Sequence, residues 1–144
     1  MRAKETNAHP SVGVKLLDRD HEDLNEILDE IQFRITTGLG EGRTGAMVRR
    51  LAQRLQVHFA LEEGMMEVSG YPDGVLHRLH HQWLMDQVEM LAAQRGRNAL
   101  ARNAHLMNLL VASHHRHIGH EDLHYGHWLN ATRLRSADSS ASAA

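Results

Sequence analysis

The 144-residue sequence contains no cysteine. A disulfide framework, a thiolate metal site and a cysteine nucleophile are therefore excluded, and any metal must be held by histidine and carboxylate. Proline occurs twice, and Phe, Trp and Tyr occur twice each. No run approaches the roughly 18 consecutive apolar residues that a bilayer span requires, and the opening MRAKETNAHP lacks the apolar stretch of a secretory signal. Charge of neither sign dominates: 16 Lys+Arg stand against 18 Asp+Glu, a formal net charge of -2. That balance gives no general attraction to nucleic acid or to an anionic membrane. These absences lead us to expect a soluble, cytoplasmic single domain, long enough to bury a core of its own.

What the sequence has in excess is histidine, 13 residues against 6 aromatics. The pattern around those histidines is helical. Val14, Leu17, Leu24, Ile27, Leu28 and Ile31 recur mostly at three- and four-residue steps, which predicts a first helix over 14–37. GLGEGRTG, with four glycines in eight residues, reads as a loop over 38–45. A second helix is expected over 46–68, burying Val48, Leu51, Leu55, Phe59 and Met66. Gly70 and Pro72 break it. A third follows over 73–94, and a fourth over 98–133 after the interruption at Gly96. Long helices joined by short loops favour antiparallel neighbours, so the expected fold is all-α, an up-down-up-down four-helix bundle over 12–133. Residues 1–11 are expected to form a flexible arm, and the Ser/Ala-rich 134–144 a disordered tail.

His58 and Glu62 on the second helix, and His77 and His81 on the third, are each four residues apart. Such pairs lie about 40° apart around a helix, so both side chains can serve one site. His21 falls on the apolar face of the first helix, and the fourth carries His117 followed by Glu121 and Asp122. Burying these groups unpaired would cost several kcal/mol each, whereas cations compensate them together. A single structural zinc needs only four ligands, so about seven donors point to two ions. Imidazole with carboxylate suits iron, with manganese or zinc as lesser candidates. His80 and His115 read as outward-facing, and His120, His124 and His127 as surface residues with the spacing of a metal patch.

The segments VGVKLLDRDHEDL, HFALEEGMMEVSGYP, HRLHHQW and HIGHEDLHYGHWL resemble the successive motifs of the hemerythrin family, in the same order and from Val12 to about Leu129. The resemblance implies a non-haem di-iron site with two iron ions and a bridging oxo or hydroxo group. His77, His81 and His117 would hold one iron and His21 and His58 the other, with Glu62 and Asp122 bridging. It further implies molecular oxygen, or a related small diatomic or peroxide, as ligand at the open position of the second iron, in a pocket lined by Leu24, Phe59, Ile118 and the residue at 114. Here the sequence departs from the family: Ser113 replaces a usual Trp, and His114 and Glu121 replace apolar residues. Glu121 becomes a possible additional ligand and His114 a polar group in the pocket. The expected function is oxygen binding for carriage, storage or sensing. The alternative is a di-iron enzyme reducing oxygen, peroxide or nitric oxide, with His114 or Glu121 delivering protons.

Overall fold

The structure, a computed structural model, describes residues 11–38, 41–96 and 98–142. The arm expected at 1–11 lies outside the described residues apart from Ser11. All regular structure among the described residues is helical, and no described helix is long and apolar enough to cross a membrane.

Helix α1 (Lys15–Thr37) buries Leu17, His21, Leu24, Leu28, Ile31 and Ile35, one stripe at alternating steps of four and three. Its N-terminus is fixed by Asp18, which accepts from the Ser11 hydroxyl at 2.5 Å and from the Val12 N–H at 2.9 Å. It ends at Gly38, whose φ of 68° lets its N–H turn back to the carbonyls of Arg34 and Ile35.

Helix α2 (Glu41–Ser69) starts earlier than the glycine-rich sequence suggested. Neither Gly42 nor Gly45 takes a positive φ, and Thr44 and Val48 are buried within this first part of the helix. Packing therefore outweighs the roughly 1 kcal/mol that each glycine costs a helix relative to alanine. At the other end the Tyr71 N–H returns to the Met66 carbonyl at 3.0 Å across Gly70, and α3 (Gly74–Ala92) follows.

The single fourth helix of the sequence reading is resolved into four pieces: α4 (Ala99–Arg102), α5 (Ala104–His117), a π-helical turn (Ile118–Asp122) and α6 (Leu123–Ser142). Asn103 makes the first break, because its side-chain amide donates to the Ala99 carbonyl at 2.7 Å and to Gln94 Oε1 at 3.0 Å instead of facing solvent. The tail expected to lack order continues α6 as far as Ser142 with its side chains exposed. Ser136, Ser140 and Ser142 each donate to a carbonyl four residues back.

Helix α1 packs against α2 and α5, α2 against α3, and α3 against α5, so each of these four helices has two neighbours. The apolar interior is in two parts. The larger contains Leu24, Leu28 and Ile31 of α1, Leu51, Leu55 and Phe59 of α2, Leu84 and Val88 of α3, and Met107 and Leu110 of α5. The smaller gathers Val12, Val14, Leu17, Met66, Tyr71, Ile118, Tyr125 and Leu129. On α1, His21 falls between Leu17 of the smaller cluster and Leu24 of the larger, and on α2, Glu62 falls between Phe59 of the larger and Met66 of the smaller.

Val12 closes the smaller cluster, and it does so against Gly126. A Cβ built at Gly126 would overlap the Val12 carbonyl. Gly126→Ala is therefore expected to displace the segment pinned by Asp18 and to lower unfolding stability by roughly 1–3 kcal/mol, the usual cost of overpacking. A urea midpoint equal to that of the parent would show that Val12 is not held there.

Candidate metal centre

Seven side chains converge between the two apolar clusters. His21 comes from α1, His58 and Glu62 from α2, His77 and His81 from α3, His117 from the end of α5, and Asp122 from the π turn. None is more than 4% exposed.

The contacts divide them into two groups. Nε2 of His77 lies 2.6 Å from Glu62 Oε1 and 2.9 Å from Asp122 Oδ1. Nε2 of His81 lies 3.2 Å from the same Glu62 oxygen, and Nε2 of His117 2.9 Å from the same Asp122 oxygen. The other carboxylate oxygens face the other way. Asp122 Oδ2 is 3.0 Å from His21 Nε2, and Glu62 Oε2 is 3.4 Å from His58 Nε2. Each carboxylate thus gives one oxygen to a three-imidazole set and one to a two-imidazole set. Ligand atoms within each set, carboxylates included, lie within 4.8 Å of one another.

These contacts are mostly not hydrogen bonds. Nε2 of His21, His58, His81 and His117, Glu62 Oε2 and both Asp122 oxygens are buried without a hydrogen-bond partner, although each lies within 3.4 Å of an opposing atom. Such atoms crowd together without satisfying one another. An unsatisfied buried polar group costs about 1–3 kcal/mol, so a cluster of this size needs a compensating occupant. Imidazole nitrogen with carboxylate oxygen is a donor set that fits iron, and also manganese or zinc.

The outer nitrogens are anchored by residues that helical spacing did not single out. His58 Nδ1 meets Asp20 Oδ2 at 3.0 Å, and His81 Nδ1 meets Glu63 Oε1 at 2.8 Å. A proton on Nδ1 donated to the carboxylate fixes the ring and leaves Nε2 as the inward lone pair. The available signal was Asp20 beside His21 and Glu63 beside Glu62, acids immediately next to candidate ligands. The Phe59 ring stacks on His81 with centroids 3.9 Å apart and planes 13° from parallel, which fixes that imidazole further.

Asp122 depends on the π turn. In a regular helix its side chain would stand about 140° around the axis from His117, while Glu121 would stand only about 40° away. The turn is wider here, with the Leu123 N–H reaching the Ile118 carbonyl five residues back. Asp122 is thereby buried beside His117, and Glu121 is displaced from the convergent group. Instead Glu121 lies 3.0 Å from His80 Nδ1 and approaches His117 only from its outer nitrogen, at 3.7 Å. Glu121 therefore stands outside the two larger groups and falls in a third, with His80 and His117, whose ligand atoms also lie within 4.8 Å of one another.

Of the expected pocket residues, Leu24, Phe59, His114 and Ile118 are all buried, with Leu24 and Phe59 in one apolar cluster and Ile118 in the other. Neither ring nitrogen of His114 has a hydrogen-bond partner. Burial, followed by the proximity of His117 and His21, holds its pKa well below the ordinary 6.5, so it is a neutral imidazole. His80 is half-exposed and paired with Glu121, not simply solvated.

Burial and the Asp122 charge both push the Glu62 carboxyl upward, but its contacts with His58, His77 and His81 outweigh them and hold it at about 2. Burial pulls His77 downward, yet Asp122 and Glu62 overcome it and raise the imidazole to about 9.

The chain resembles the hemerythrin family. A bacteriohemerythrin of Stenotrophomonas maltophilia (strain R551-3) is 26% identical to it over 78 residues, covering 54% of this chain and 50% of that protein. The match thus spans about half the length of that curated relative. No family model matches the chain, and no solved structure matches it.

A raised imidazole pKa stabilises the metal-free fold while the imidazole is protonated. His77's contribution is complete below its ordinary 6.5 and is lost as pH rises through about 9. The Tm of metal-free protein is therefore expected to fall across that interval. A Tm constant or rising over it would show that the imidazolium–carboxylate contacts do not support the apo core.

Proposed function

We propose that this chain is a non-haem di-iron protein that binds oxygen, built on an up-down-up-down four-helix bundle over 12–133. The observation that carries the reading is the division of the two carboxylates. Glu62 and Asp122 each turn one oxygen to His77, His81 and His117 and the other to His21 and His58. Two acids in that posture would be shared between two ions, each offering one oxygen to either side. The likeness to a bacteriohemerythrin supports the same reading.

His77, His81 and His117 would hold one ion and His21 and His58 the other, so the second is short of one protein donor. Two ferrous ions held there would supply the electrons for binding an oxygen molecule. The protein's part is to fix the donors and exclude water. Asp20 and Glu63 hold the His58 and His81 rings in orientation through their Nδ1 atoms. Leu24 and Phe59 on one side and Ile118 on the other cover the polar layer with side chains that offer no proton. His114 is the exception. Its neutral ring brings one N–H and one acceptor nitrogen into an otherwise apolar lining, where the N–H can be donated to a small bound ligand.

Elemental analysis of protein from iron-supplied cells is expected to give about two irons per chain, falling to one or none in Glu62→Ala. One zinc and no iron would refute the di-iron reading. When the ferrous protein is mixed with oxygen in a stopped-flow spectrometer, the colour that develops is expected to bleach under vacuum. Immediate irreversible conversion to ferric protein would refute reversible binding and favour the enzymatic alternative. His114→Leu is expected to prolong the oxygen-dependent absorbance while leaving the iron count unchanged. Decay at the parental rate would remove His114 from the pocket.

A further inference from the structure

The seven convergent side chains are at most 4% exposed, so an aquated cation cannot meet them directly and must shed its water along a route. Two openings lead toward them. A cavity of about 270 Å³ reaches His77, with Tyr71 and Asp73 also on its wall. A second, of about 310 Å³, reaches His117 beside Trp83 and Ser113. Both are lined by the same pair, His80 and Glu121.

That pair has the chemistry of a cation site. His80 Nδ1 and Glu121 Oε1 are 3.0 Å apart, and Glu121 Oε2 is buried without a hydrogen-bond partner. Ring nitrogens of His80 and His117 and an oxygen of Glu121 lie within 4.8 Å of one another. Glu121 Oε2 is 3.7 Å from His117 Nδ1, the outer nitrogen of a ring whose inner nitrogen faces the centre. Of the remaining imidazoles on the first cavity, His124 is held by the Tyr71 hydroxyl at 2.6 Å, while His120 is exposed.

We propose that His80 and Glu121 form a separate, solvent-facing site that captures divalent cations and delivers them past His77 and His117 into the centre. The inference rests on the reading that the centre takes metal. One imidazole and one carboxylate, with water completing the shell, hold a divalent ion loosely enough to release it. Five imidazoles and two bridging carboxylates further in provide the stronger sink. Glu121 suits the task because the π turn excludes it from the centre while leaving it next to a ligand.

The test follows cobalt(II) uptake by the metal-free chain from its visible absorption, then counts bound cobalt after desalting. The parent is expected to retain two ions. His80→Ala and Glu121→Gln are expected to retain two as well, with unchanged Tm when loaded, but to fill about tenfold more slowly, the scale on which charged clefts raise local ion concentration. His80→Asp, which keeps a donor at the opening, is expected to recover most of the rate. Parental uptake rates in both His80→Ala and Glu121→Gln would overturn the proposal. So would slow uptake ending below two ions, because it would place these residues in the centre itself. A parent chain that retains no cobalt would overturn the underlying metal reading, and the entry site with it.

Discussion

Everything in this fold accommodates one demand: five imidazoles and two carboxylates must leave water together. Alone, each would cost more than the packing around it returns. Grouped, they hold one another, and the imidazoles around Glu62 and Asp122 hold both carboxyls below the ordinary carboxylate range despite their burial. The two apolar clusters serve this layer from either side. Their separation is a consequence of the polar layer: His21 falls between Leu17 and Leu24, and His77 and His81 between Tyr71 and Leu84.

The layer also sets how firmly each ligand must be held. His58 and His81 have carboxylate anchors behind them, and His81 carries the stacked Phe59 ring as well. His21 Nδ1 has no hydrogen-bond partner. Each side of the cluster thus has one ring anchored through its outer nitrogen, His58 on the two-imidazole side and His81 on the three-imidazole side.

Much of this was legible from spacing alone. The pairs His58/Glu62 and His77/His81 are four apart on helices whose apolar residues already define an inner face, and the structure places all four side chains in the convergent group. Spacing misled where the backbone departs from a regular α-helix. His117 with Glu121 is the pair that a four-residue step selects, and it is Asp122 that faces inward; only the family resemblance pointed there. Composition misleads at the start of α2. Glycines 42 and 45 read as loop, yet tertiary packing keeps them helical, and the serines after Arg133 continue α6 with hydroxyls donated to carbonyls four residues back. Asp20 and Glu63 were missed because an acid beside a ligand is indistinguishable, in sequence, from the many acids on solvated faces.

The π turn has a reach beyond the residue it turns inward. It acts as a phase shift of one residue between two halves of a continuous rod, so every side chain of α6 is turned by about 100° relative to an uninterrupted extension of α5. With the shift, Asp122, Tyr125 and Leu129 face the interior. Without it, the same sequence would present Glu121, His124 and Trp128 there. The bearing of α6 and the inward position of Asp122 are therefore one variable, and whatever grips that carboxylate also sets the rotation of about twenty residues downstream.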